Sequence, residues 1–182
     1  MESLTQAERQ RASSYVGESH DRVLQILRDL SEEQVRFKPG PDRWCIGEVA
    51  EHLIIIHTLV QNHVEQLAAS PVQTPQSAWK GLDDAIVAVS KDRTNRLVVP
   101  EIGRPTNGLS RDELLVRLSA IRDRIRNFVE TTDAPLRDLC FPHPIHGQKD
   151  CYQWILSVAA HCERHLEQVH EVMSTDDFPK TH

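Results

Sequence analysis

No stretch of this sequence approaches the roughly 18 uninterrupted apolar residues that a helix needs to cross a bilayer. The longest run, Leu53-Ile54-Ile55-Ile56, is flanked by histidines, so no membrane span is expected. Positive charge is also scarce: 21 Lys and Arg against 27 Asp and Glu give a formal charge of -6, which disfavours a surface that tracks nucleic-acid phosphates. Met1-Glu2-Ser3-Leu4-Thr5-Gln6 lacks the basic start and apolar run of a secretory signal, so a reducing cytoplasm is the expected setting. The four cysteines, Cys45, Cys140, Cys151 and Cys162, form no CxxC pair, which argues against a disulfide framework and against a zinc finger. A Gly-rich strand-to-helix fingerprint and a GxxxxGK phosphate loop are both missing, so ATPase and dinucleotide-dependent roles lose support. No internal repeat, low-complexity tract or sustained heptad occurs.

What is present reads as helix. The 182 residues suit one domain, 1–182, with one continuous core. Thr5-Gln6-Ala7-Glu8 has capping-box spacing, and the apolar period behind it predicts a first helix over about Ala7 to Leu30. Ser31-Glu32-Glu33-Gln34 repeats the cap, but Pro39-Gly40-Pro41 limits it to a short turn and loop. The stripe Ile46, Val49, Ala50, Leu53, Ile56, Val60, Val64 and Leu67 predicts a second helix over Ile46 to Ala69. Residues 70–109, rich in proline and glycine, are expected to be a crossover within the domain, with one helical stretch near Leu82 to Lys91. A third helix, capped by Ser110, should run to about Glu130. Two prolines and a glycine in Phe141-Pro142-His143-Pro144-Ile145-His146-Gly147 favour an ordered turn over helix or strand. The fourth helix should begin near Lys149 or Asp150 and give way to a polar tail, 174–182. The fold class expected is all-α, a bundle of four helices.

Ten histidines are the compositional outlier. His161 and His165 stand four residues apart, hence on one helical face, and Val158 and Val169 extend that face inward. A buried neutral imidazole needs partners for its polar nitrogens, and a metal would supply one. His52 lies within the stripe of the second helix, which makes a third inward ring. Three nitrogen ligands could hold zinc or a neighbouring first-row ion while leaving a position open for water or substrate. Cys162 and Glu163 sit about 100 and 200 degrees around the helix from His161 and are not assigned as ligands. Glu48 and Glu51 read as surface charge, with Glu48 an alternative acceptor for an imidazole. His57 is placed on another face, serving solvent or a loop; His20, His63, His170 and His182 are set aside. His143 and His146 either approach the pocket or make turn hydrogen bonds. A cysteine nucleophile is the competing chemistry; Cys45, at a helix start, is its best candidate, although a cap or packing role is the safer reading.

Trp44-Cys45-Ile46-Gly47-Glu48-Val49-Ala50-Glu51-His52-Leu53, then His143-Pro144-Ile145-His146-Gly147, then Trp154 through His165 resemble the DinB-like family in kind and order. That resemblance implies an up-down-down-up four-helix bundle with a long crossover between the second and third helices. It also implies a divalent metal held by three histidines, which map to His52, His161 and His165. Cys45 stands where the family often has Ser or Thr, which bears on the cap and not on the metal. Some relatives in the family are transferases or isomerases that use low-molecular-weight thiols. The resemblance therefore implies a metal-dependent enzyme, a thiol transferase or a related isomerase or hydrolase, that activates thiol sulfur for transfer to an electrophilic small molecule. Zinc or nickel is the expected metal, and a homo-oligomer the expected state. The opposing expectations are a noncatalytic metal-stabilised bundle that mediates protein interaction, and a metal-free bundle with ordinary buried histidines.

Overall fold

A computed structural model describes residues 2–70, 76–94 and 99–180. Six helices are present there: α1 Gln6–Asp29, α2 Glu32–Arg36, α3 Ile46–Ala68, α4 Asp83–Lys91, α5 Arg111–Thr131 and α6 Cys151–Met173. The starts follow from local chemistry. Thr5, Ser31 and Ser110 each accept the backbone N–H three residues on, and Glu8, Gln34 and Glu113 return the bond to the cap backbone. Each such cap stabilises its helix by about 1 kcal/mol. Cys45 does the same for α3 with Glu48, and Asp150 for α6 with Gln153.

The core helices α1, α3, α5 and α6 pack around one apolar interior that includes Leu24, Leu27, Leu53, Leu114, Leu118, Ile125 and Ile155. Burying each of these side chains is worth roughly 1.5–3 kcal/mol. Cross-helix contacts fix the directions. Arg9 donates to the Val129 carbonyl at 2.9 Å and Arg111 to the Leu30 carbonyl at 2.9 Å, so α1 and α5 are antiparallel. The Tyr152 hydroxyl reaches the Glu8 carbonyl at 3.3 Å and Tyr15 reaches Glu163 at 2.7 Å, so α1 and α6 are parallel. Arg124 binds Glu65 at the far ends of α5 and α3, while Gly47 and Leu114 meet at the near ends, so these two run parallel. A Cβ at Gly47 would come within 3.1 Å of the Val35 side chain of α2 and 3.6 Å of Leu114 of α5, so the glycine lets α3 pack closely against both.

The expected helix boundaries are met within two residues, but three expectations are corrected. The Phe141–Gly147 segment is not merely a turn: Cys140–His143 (β1) and Gly147–Asp150 (β2) pair antiparallel as a small hairpin appended to the helical fold. Gly147 takes a φ of 70° at the start of β2, a backbone conformation that favours glycine. The tail is not simply polar, because Phe178 packs edge-on against Phe37 at 5.5 Å and Gln34 donates to the Pro179 carbonyl at 2.8 Å. Glu48 and Glu51 are buried, not surface charges. The crossover's positions 71–75 and 95–98, like Met1 and His182, lie outside the described residues. Its described part contains α4, which lies along α6, and a 3-10 turn, Glu101–Gly103, which reaches α3. Among the described residues no helix is long and apolar enough to cross a membrane.

Candidate metal centre

The antiparallel packing of α3 on α6 brings His52 opposite His161 and His165. Ring centroids lie 5.2 Å from His52 to His161, 4.8 Å from His52 to His165 and 4.5 Å between the α6 pair. One ring nitrogen from each lies within 4.8 Å of the other two. His161 Nε2 and His165 Nε2 are 3.0 Å apart, close to the separation of two ligands that share an ion at about 2.0–2.1 Å from each. His52 and His165 are buried, and His161 keeps partial exposure.

The other nitrogen of each ring is engaged. His52 Nδ1 lies 2.7 Å from the Gly103 carbonyl, His165 Nδ1 lies 2.9 Å from Gln168 Oε1, and His161 Nδ1 lies 3.2 Å from His57 Nε2. A backbone carbonyl only accepts, so His52 carries its proton on Nδ1 and presents a bare Nε2 lone pair to the centre; with the Gln168 amide oxygen turned toward its Nδ1, His165 does the same. This is the outer arrangement that metal-bound histidines require. Burial disfavours the charged form of all three: His52 is lowered, His161 is held well below the usual range, and His165 is lowered to about 3. Neighbouring imidazoles add to the effect at His161 and His165. Neutral imidazole is the form that coordinates, so the donor set fits a divalent ion. Trp44 walls the cluster, 5.0 Å from His52 and stacked at 6.4 Å on His165.

Other candidates resolve away from the centre. Glu48 accepts from the Cys45 backbone at 2.8 Å and from Lys38 at 2.7 Å, so it orients no imidazole. Glu51 accepts from Thr106 Oγ1 at 2.6 Å and from the Asn107 backbone at 2.8 Å, tying down the crossover beyond Gly103. Glu163 is taken by Tyr15, Arg22 and Lys91, and Cys162 Sγ faces the Ser19 carbonyl at 3.3 Å. His143 Nδ1 accepts the backbone N–H groups of Ile145 and His146, at 3.1 and 3.2 Å, which is the turn-bonding reading of that loop. His170 is exposed, as expected, and His63 is exposed with its ring 4.3 Å from Phe141. All four cysteines are buried and none is in a disulfide. Burial raises the thiols of Cys45, Cys151 and Cys162, the last to about 12, which removes the reactive thiolate on which a cysteine nucleophile depends.

Two histidines were misplaced in the sequence reading. His57 and His20 are fully buried, and their rings join end to end with His161. The signal was available. The buried face of α3 runs through Ile46, Ala50, Leu53, His57, Gln61 and Val64, so His57 falls on it at a four-residue step from Leu53. The stripe drawn through Ile56, Val60 and Leu67 followed a neighbouring, half-buried face. His20 likewise sits four residues after buried Val16 and three before buried Val23.

Helices carrying a cluster of inward histidines make a bundle with a candidate metal site. The chain matches the DinB superfamily over residues 16–169 and belongs to it. It is also similar to the uncharacterized protein YuaE of Bacillus subtilis (strain 168), with 26% identity over 148 residues, covering 80% of this chain and 87% of that one. No solved structure matches significantly.

Proposed function

We propose that His52, His161 and His165 hold a divalent ion, zinc or nickel, through their Nε2 atoms, and that the chain is an enzyme transferring a low-molecular-weight thiol to an electrophilic small molecule. One observation carries the metal reading: one ring nitrogen from each histidine lies within 4.8 Å of the other two, while each Nδ1 has a hydrogen-bond partner outside the centre. Bound there, the ion would supply Lewis acidity that favours thiolate over thiol at neutral pH. The chain's residues do the rest. His52, His161 and His165 orient the ion without themselves needing to lose a proton, Trp44 excludes water from one side, and the partial exposure of His161 leaves an approach for substrate. The buried, raised thiols of the chain support an external sulfur source, and the resemblance to thiol-using relatives supports the same class.

The helix directions support the up-down-down-up path, with residues 70–109 as a crossover inside one domain spanning 1–182. A surface groove between α3 and α5 lined by Ile54, Ile55, Leu59 and Ala120 supports a homo-oligomer, testable by light scattering. The function is tested by elemental mass spectrometry of protein purified without chelators, beside folded His52→Ala and His161→Ala variants, followed by turnover assays on a panel of thiols and electrophiles. Stoichiometric metal in wild type, its loss in the variants and turnover lost on chelation with the fold intact are expected. No metal after reconstitution sinks the metal reading. Chelation that unfolds the protein, with no turnover in any pairing, leaves a structural metal bundle instead.

A further inference from the structure

The imidazole of His161 does not end at the metal cluster. Its Nδ1 meets His57 Nε2 at 3.2 Å, His57 Nδ1 meets His20 Nε2 at 3.0 Å, and His20 Nδ1 meets the Val16 carbonyl of α1 at 2.8 Å. The chain of three rings crosses the bundle from α6 through α3 to α1, and His57 and His20 have no exposed surface. Among the described residues no carboxylate hydrogen-bonds to either of these two rings.

We infer that His20 and His57 form a tautomer relay in which the Val16 carbonyl fixes the proton on His161 Nδ1 and so bares His161 Nε2 for the metal. The inference rests on the metal reading above for its purpose, but its logic is local. A carbonyl oxygen cannot donate, so the contact at Val16 demands a proton on His20 Nδ1. A neutral ring has one N–H, so His20 Nε2 is an acceptor and His57 Nδ1 must donate to it. His57 Nε2 is then an acceptor, and His161 Nδ1 must donate in turn. The reverse polarity would set a lone pair of His20 Nδ1 against the Val16 oxygen at 2.8 Å. The Ser19 hydroxyl, 3.3 Å from the same nitrogen, already has the Val16 carbonyl as acceptor at 3.2 Å. With the polarity set, and with His165 holding its own proton on Nδ1 toward Gln168 Oε1, no proton lies between His161 Nε2 and His165 Nε2, and the two lone pairs face each other at 3.0 Å. A cation relieves that opposition, so the relay builds the site for a metal before one arrives. His57 and His20 are therefore positioning residues.

The wild-type, metal-free protein tests this without any substitution, by two-bond proton-nitrogen NMR of its histidine rings. His20, His57 and His161 should all carry the proton on Nδ1; a proton on Nε2 in His20 or His57 overturns the relay. The second test is Zn2+ affinity by chelator competition. His57→Phe, checked for fold by circular dichroism, should bind Zn2+ about 10–100-fold more weakly, as loss of an outer hydrogen-bond partner does. His57→Gln, whose amide oxygen can accept in place of Nε2, should recover most of that loss. Where wild type binds Zn2+, an equal affinity in folded His57→Phe overturns the inference. If wild type takes up no Zn2+ while its rings show the predicted tautomers, the relay stands and the metal-dependent function falls.

Discussion

His52 Nδ1 and the Gly103 carbonyl lie 2.7 Å apart, which joins a core histidine to a 3-10 turn in the crossover 51 residues further along the chain. The turn is held in place by Glu51, whose two oxygens accept from Thr106 and Asn107. Glu51→Ala leaves two donors unpaired at a partly buried junction and should destabilise the protein by about 2 kcal/mol. It should also weaken Zn2+ binding about tenfold, by freeing the carbonyl that orients His52. Urea denaturation and chelator competition on one preparation measure both, and an unchanged Zn2+ affinity would break the link between crossover and site.

Metal should stabilise the fold. With free Zn2+ at about 100 times its dissociation constant, mass action adds about 2.7 kcal/mol to a protein that binds only when folded. Thermal unfolding in Zn2+ against chelator should therefore differ by several degrees, and His165→Ala should abolish the difference. A shift that survives His165→Ala would place the ion elsewhere.

Acid should weaken the metal-free protein before its ordinary carboxylates titrate. Burial lowers His165 to about 3 and His20 to about 4, against 6.5 when unfolded. Between these values the unfolded chain binds more protons than the folded one, so stability falls as pH drops from about 6.5 toward 4. The two rings together contribute a slope of up to about 3 kcal/mol per pH unit. Denaturation midpoints at pH 7, 6 and 5 measure it; a flat profile would contradict neutral buried rings.

Lys149 sets a second, more alkaline window of the same sign. It is fully buried, donates to Ser157 Oγ at 3.0 Å and lies 5.0 Å from the Trp154 ring; among the described residues it forms no salt bridge. Burial lowers it to about 7 from 10.5. The unfolded chain therefore binds the extra proton between these values, and stability rises with pH across roughly 7 to 10.5, the full burial cost being felt below 7. Lys149→Met should stabilise the protein at pH 7 by on the order of 1–3 kcal/mol and flatten that rise. Calorimetry of both proteins at pH 7 and pH 9 decides it.

Cys45 caps α3, its sulfur accepting the Glu48 N–H at 3.4 Å. A serine oxygen is the stronger cap acceptor, and Asn107 Oδ1, 3.8 Å from the sulfur, offers its proton a partner. Cys45→Ser should be neutral or stabilising by up to about 1 kcal/mol, whereas Cys45→Ala should cost about 1 kcal/mol. A serine variant less stable than the alanine one would mean that Cys45 acts by packing.

Helix starts were legible because each is a local bargain: Thr5, Ser31 and Ser110 meet their partners three residues away. The pairing of His161 with His165 was legible for the same reason, since helix geometry alone aligns them. His57 was missed because α3 has two adjacent apolar faces: the four-residue step from Leu53 marks the buried one, while Ile56, Val60 and Leu67 mark its half-buried neighbour. Gly103 and Glu51 could not be read at all. Their roles depend on where a proline-rich crossover lands, which no local spacing encodes. The hairpin at Cys140–Asp150 was hidden by Pro142 and Pro144, because proline within a short run argues against a strand.

The far end of the histidine chain is the Val16 oxygen, a main-chain atom. Amino-acid replacement changes side chains and leaves that atom in place, so a substitution scan would find position 16 responding only as a packing position. The anchor is heritable through helix α1 as a shape, and any residue at 16 that keeps the helix transmits it. A chemical backbone edit, an ester in place of the amide that follows Val16, would weaken the oxygen as an acceptor and make its contribution visible.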